Sequence, residues 1–209
     1  MKKIFFLLHI ALISFALAQV ESRKPAAAVD IPEFYMDALS FASSDSLTSR
    51  VDLYAHVPYD ALQFVKSDNQ YVAKYEVTFN FLTDDNASVS EKAWSEEVRV
   101  QQFDQTLSKH AYSLTERSVA ISPGIYTLRA QMRDNESKKI STVVKKIIVG
   151  NYSTSNLALS DILLVTKVTT EGEKRNLVPN IPGNVGENNN VFYLFFELYS
   201  PQKPDSLEL

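Results

Sequence analysis

Between Tyr71 and Leu82, apolar and polar side chains alternate. Tyr71, Ala73, Tyr75, Val77, Phe79 and Phe81 fall on one side; Val72, Lys74, Glu76, Thr78, Asn80 and Leu82 fall on the other. Successive side chains of an extended chain point to opposite faces, so this period of two predicts a strand with one face buried and one wet. Asp84-Asp85-Asn86 ends it as a turn. The same rhythm returns where Trp94, Val98 and Val100 alternate with Ser95, Glu97 and Arg99. It returns again where Tyr126, Leu128, Ala130 and Met132 alternate with Thr127, Arg129, Gln131 and Arg133.

Val143–Val149 is β-branched, and Val51–Val57 and Ala61–Val65 flank a Pro58-Tyr59-Asp60 turn. Residues 34–42 and 107–121 read as further strands, with 34–43 also compatible with a short helix. Short strands at these intervals predict an all-β fold, an immunoglobulin-like antiparallel β-sandwich over residues 34–150. Ser122-Pro123-Gly124-Ile125-Tyr126 places a tyrosine at the start of a late strand. That is where a tyrosine corner sits in many such domains; a plain core aromatic is the other reading.

Gly150–Asn156 (GNYSTSN) is a polar break and the expected domain boundary. Beyond it, Leu159–Val168 reads as a strand, 169–176 as a charged turn and Val191–Ser200 (VFYLFFELYS) as a long aromatic strand. So few strands cannot close a sandwich. Residues 157–209 are therefore expected to be a partial second β-sandwich domain, the start of something incomplete. A row as apolar as Phe192–Phe196 calls for partners outside the 209-residue sequence.

The start of the chain follows a different rule. Lys2 and Lys3 precede a 15-residue, mostly apolar run, Ile4–Ala18, which ends in Ala16-Leu17-Ala18 before Gln19. A basic head, a short apolar run and small residues at an A-x-A site predict a secretory signal peptide over 1–18, cleaved between Ala18 and Gln19. The run is shorter than the roughly 20 residues of a spanning helix, so no stable membrane span is expected after cleavage. Residues 19–33, with Pro25, Ala26–Ala28 and Pro32, read as a flexible linker. Losing the signal removes two lysines and takes the formal net charge from −4 to −6. That charge argues against binding nucleic acid or anionic lipid in general.

Candidate chemistry is sparse. The absence of cysteine excludes disulfides, thiolate metal sites and a cysteine nucleophile. The five glycines form neither G-x-G-x-x-G nor a Walker loop. His56 and His110 lack metal-ligand spacing, and no G-x-S-x-G or S-x-x-K is present. Asp84-Asp85 and Glu96-Glu97 are sequence neighbours, which on a strand point to opposite faces rather than across a cleft. Asp84-x-Asn86 lacks the glycine and distal glutamate of a calcium loop. Trp94 is expected in the core. Lys138-Lys139 and Lys145-Lys146 read as a solvated edge that discourages strand-to-strand aggregation. The Asn86, Asn135 and Asn151 sequons matter only in a host that modifies asparagine. Tyr54, Tyr59 and Tyr199 are the candidates for stacking on a glycan. No cofactor or metal is expected.

Five sets of strings share a further likeness: Val51-Asp52-Leu53-Tyr54; Val57-Pro58-Tyr59-Asp60-Ala61-Leu62-Gln63-Phe64-Val65-Lys66; Pro123-Gly124-Ile125-Tyr126-Thr127-Leu128-Arg129; Leu159-Ser160-Asp161-Ile162; and Val178-Pro179-Asn180 with Gly183-Asn184-Val185. Together they resemble the N-terminal region of bacterial GWxTD domain-containing proteins. The resemblance implies an exported envelope protein of Bacteroidetes-like bacteria, with β-sandwich domains ahead of a C-terminal domain. The Gly-Trp pair that names that domain is missing here, since Ala93 precedes the single tryptophan, Trp94. No functional residue carries over.

The expectation is a periplasmic or extracellular, non-enzymatic β-sandwich protein of the bacterial cell envelope, structural or protein-interacting, with a protein or envelope component as partner. The alternatives are a glycan-binding accessory module and an accessory fragment of a secreted hydrolase.

Overall fold

The computed structural model describes residues 33–153, 157–172, 174–185 and 191–200. The predicted signal and its Ala18–Gln19 cleavage site lie outside the described residues, as does the linker up to Pro32. The fold is all-β, with 63% strand and 4% helix.

Eight strands build the sandwich: β1 (Tyr35–Ala42), β2 (Ser49–Pro58), β3 (Val65–Ser67), β4 (Gln70–Leu82), β5 (Ser88–Val100), β6 (Tyr112–Ile121), β7 (Gly124–Asp134) and β8 (Ile140–Val149). One sheet has the order β1-β2-β6, and the other runs β5-β4-β7-β8. The short β3 pairs with the first residues of β4, beyond the end of β7. All pairings are antiparallel. The alternation of Tyr71–Leu82 becomes the central strand β4, whose Tyr75, Val77, Phe79 and Phe81 are fully buried. Val51, Leu53, Ala55 and Val57 of β2 and Leu128, Ala130 and Met132 of β7 share that core.

Polar bonds join the two sheets. The buried Tyr75 hydroxyl donates to Ser113 Oγ at 2.7 Å, linking β4 to β6. Charge closes both open sides: Arg117 of β6 meets Glu96 of β5 at 2.8 Å, and Lys145 of β8 meets Asp37 of β1 at 2.7 Å. Trp94 sits at the first seam, half-buried, with its ring parallel to Phe79 at 5.6 Å and the Arg117 guanidinium over the ring at 5.4 Å. At the β6–β7 turn the Tyr126 hydroxyl donates to the Ser122 carbonyl at 2.9 Å while its ring meets Phe81 edge-on. Both readings of Tyr126 therefore hold together, a tyrosine corner and a core-packed aromatic.

The local corrections are small. The segment after Pro58 is a 3-10 turn over Tyr59–Ala61, so the next strand starts only at Val65. A single helical turn, α1 (Phe103–Thr106), lies between β5 and β6, held by a reciprocal cap between Gln102 and Gln105.

The C-terminal strands are β9 (Ala158–Leu159), β10 (Leu163–Glu171), β11 (Lys174–Pro179), β12 (Tyr193–Phe195) and β13 (Leu198–Tyr199). They form a sheet of order β11-β10-β12 and a separate β13-β9 pair. The predicted turn over 169–176 is instead the tip of the β10–β11 hairpin. Gly172 there adopts φ +62°, which suits a residue without a Cβ. The predicted single strand over Val191–Ser200 is broken between Phe195 and Leu198. Glu197 leaves the β10 ladder and exchanges bonds with Ser160, whose N–H donates to Glu197 O at 2.9 Å.

These strands cover the outer face of the β1-β2-β6 sheet. Leu39, Phe41 and Tyr54 point away from the sandwich core and are buried with Leu163 and Val165; Leu177, Ile181 and Phe195 pack around them. β2 is thus buried on both faces. Ser40 of β1 anchors the crossing. Its N–H donates to Asp161 Oδ2 at 2.8 Å, and its carbonyl accepts from Asp161 N and the Tyr152 hydroxyl. Its hydroxyl accepts from Gly150 N. A Cβ at Gly150 would lie 2.7 Å from the tip of the Tyr152 ring and would push its hydroxyl off the Ser40 carbonyl.

Candidate functional site

Two surfaces stand out, one apolar and one polar. The first is the outward side of the C-terminal strands. β12 pairs with β10 through Leu163–Phe195, Leu164–Leu194 and Val165–Tyr193. Phe195 turns inward and lies 6.3 Å from Phe41. Its neighbour Leu194 turns outward and is 55% exposed, and Phe192 and Phe196 flank it at 48% and 42%. Leu157, Leu159 and Ile162, in the segment leading into β10, are exposed as well. β12 is also the last strand of its sheet, so among the described residues its second edge has no strand beside it. An open strand edge presents unpaired N–H and C=O groups.

Charged groups fix the base of this surface. Arg50 bridges Asp52 Oδ2 at 3.2 Å and Glu197 Oε1 at 3.1 Å, with its guanidinium over the Phe41 ring. The Tyr199 hydroxyl donates to Glu197 Oε2 at 2.5 Å and accepts from Ala42 N at 2.9 Å. Burial, with the Glu197 bond next, pushes the Tyr199 hydroxyl up to about 12. Burial raises the Tyr54 phenol too, with the nearby Glu116 and Asp52 charges adding to the effect. Tyr54 is only 4% exposed and offers no ring face to a sugar. Tyr199 is half-buried and committed to the strand-to-strand network. Of the three candidate tyrosines, Tyr59 lines an open cleft.

That cleft is the second surface, about 570 Å³, at one end of the sandwich. Its walls are Tyr59 after β2, Arg99 and Val100 at the end of β5, and Gln101, Asp104, Gln105, Ser108 and Ala111 of the β5–β6 connection. Tyr59 is held by Phe64, 5.6 Å away edge-on, and by its N–H donating to Ala111 O at 3.0 Å. Local sequence did not reveal the cleft, because its walls come from two connections roughly forty residues apart.

Packing explains His56, while His110 is exposed. His56 is buried between Tyr112, stacked at 4.0 Å, and Tyr35, edge-on at 5.7 Å. Burial lowers its pKa, and its Nδ1 has no hydrogen-bond partner. No group of acids and histidines among the described residues has metal-site geometry. Glu96 pairs with Arg117, while Glu97 faces the other side and pairs with Lys74 and Arg99. Asp84 faces Lys146 at 3.6 Å, and Asp85 accepts from the Thr83 hydroxyl. The four lysines of the expected basic edge are partnered: Lys138 donates to Asn135 O, Lys139 meets Glu33, and Lys145 and Lys146 take the acids already named. Among the described residues no helix is long and apolar enough to cross a membrane.

No protein-family model matches the chain, and no curated protein is similar to it. Solved structures to which part of the chain is weakly similar include a Bacteroides uniformis beta-glucuronidase, with TM-score 0.36, 9% identity, and coverage of 56% of this chain and 13% of the enzyme. A calcium-binding mutant of Bacteroides uniformis beta-glucuronidase 2 gives TM-score 0.34, 9% identity, and coverage of 61% and 13%. The chain thus spans about 13% of the length of these enzymes. Similarity at this level says nothing about activity or ligand.

Proposed function

We propose that this is an exported, non-enzymatic β-sandwich protein of the bacterial cell envelope that works by binding another protein. The observation carrying the reading is the placement of β12. Its sequence, apolar on both faces, is that of an interior strand. Its position is a sheet edge with Phe192, Leu194 and Phe196 exposed. A partner strand laid along that edge would satisfy its backbone groups and cover its outer side chains, the mode known as β-augmentation. Contiguous exposed apolar surface of this kind marks interaction sites in soluble proteins. The leader pattern of residues 1–18 and the strings resembling GWxTD domain-containing proteins support export to the envelope.

The test is complex formation in envelope extracts of the producing cell, read by the native size of the protein. Wild type is expected in a larger complex, and Leu194→Asp is expected to run at the size of the free chain with its thermal unfolding unchanged. A wild-type protein that runs free, or a complex that survives Leu194→Asp and Phe192→Asp alike, overturns the reading. Turnover of a substrate by the purified chain overturns its non-enzymatic part.

A further inference from the structure

We propose that the cleft beside Tyr59 is a binding site for a neutral saccharide. The inference is independent of the apolar C-terminal surface.

The lining carries the argument. Gln105 Oε1 already accepts from Gln101 N at 3.0 Å and Gln102 N at 2.9 Å, which leaves its amide NH2 as the free end. Ser108 Oγ accepts from Ala111 N at 3.1 Å, leaving its O–H to donate. Arg99 pairs with Glu97 through one nitrogen and keeps further N–H donors. On the acceptor side, the Asp104 carboxylate and the Gln101 side chain have no protein partner among the described residues. The cleft therefore offers side-chain donors and solvent-facing acceptors around one aromatic wall.

Each feature narrows the ligand. A hydroxyl both donates and accepts, so a polyol satisfies both kinds of group at once. Tyr59, half-buried against the core, brings an aromatic ring with a polar tip to the cleft wall, suited to contact with a sugar ring. The Arg99 and Asp104 charges oppose each other, and Asp104 disfavours a phosphate or carboxylate ligand. The polar lining disfavours a purely apolar one. The volume, about 570 Å³, lies in the range of small-molecule sites.

The experiment is a titration of the purified chain, followed by backbone amide NMR. The probes are gluco-, manno-, galacto- and xylo-hexaose, with polygalacturonate as the anionic arm. At least one neutral hexaose is expected to shift the amides of Tyr59, Gln101, Asp104 and Ser108 saturably. Asp104→Ala and Gln101→Ala, both on the exposed connection, are each expected to weaken binding about tenfold without lowering thermal stability. Thr78→Ala, midway along β4 and outside the cleft lining, is expected to leave it unchanged. Three outcomes overturn the proposal: no saturable shift at the cleft, affinity unaffected by both cleft variants, or binding of polygalacturonate alone.

Discussion

Ser40 and Asp161 hold each other reciprocally: Ser40 N donates to the Asp161 carboxylate at 2.8 Å, and Asp161 N donates to Ser40 O at 3.1 Å. Together they act like one rung of a ladder between β1 and the start of the C-terminal strands. Ser40 is 2% exposed, so losing its partner leaves a buried N–H unsatisfied. Asp161→Ala is expected to cost about 1–3 kcal/mol. Hydrogen exchange checks it: amides of Leu163–Val165 should exchange faster while those of β4 and β7 stay protected. Uniform acceleration in all strands would contradict a local anchor.

Asp134, 1% exposed, ends β7 by organising the turn that follows. Its Oδ1 accepts from Glu136 N, Ser137 N and the Ser137 hydroxyl, and its Oδ2 accepts from Gln63 N at 2.8 Å. Removing a buried charged acceptor strands several donors at once. Asp134→Ala is expected to cost about 3 kcal/mol or more, and Asp134→Asn less, because an amide oxygen keeps part of the set. Equilibrium denaturation of the two variants checks the order.

Burial pushes the Tyr75 hydroxyl up to about 12, the bond to Ser113 acting the other way. Tyr199 is raised to the same value, also by burial first. Folding thus favours the protonated phenols. Their contribution is fully present below the ordinary tyrosine value of 10 and is lost as pH rises through about 12. Phenolate absorbance near 295 nm should show a late-titrating class of tyrosines, with unfolding starting in that window. Tyr75→Phe should remove the part of the alkaline transition that Tyr75 supplies.

His56 works in the opposite pH direction. Burial lowers its pKa from 6.5, so the folded state favours the neutral ring. Its contribution is present above 6.5 and is lost progressively as pH falls through that value toward the lowered one. Thermal melts between pH 7.5 and 5 should show stability declining, and His56→Phe, which keeps a ring between Tyr35 and Tyr112, should flatten that slope. An unchanged slope in His56→Phe would assign the acid sensitivity elsewhere.

Periodicity in the sequence reports which side of a strand is apolar, and for β4, β5 and β7 that was enough to place them. It does not report what covers a face from afar. Tyr54 alternates with hydrophobic neighbours like any strand-surface tyrosine, yet Leu163 and Val165, over a hundred residues on, bury it. The break in Val191–Ser200 was equally hidden, because it depends on Glu197 bonding to Ser160 rather than on a local turn residue. Tyr126 was legible since its corner is made within five residues. The Tyr59 cleft was half legible: the tyrosine stood out, but its polar walls lie on α1 and its flanks, a single turn set by the Gln102–Gln105 cap.

The most direct test of the interaction reading places a photo-crosslinking amino acid at Leu194, outward on β12, and a control at Thr78 on the wet face of β4, in the cell that makes the protein. A discrete adduct to one partner from position 194, absent from position 78, is the expected result. No adduct from 194, or the same adducts from both positions, would contradict a partner strand on β12.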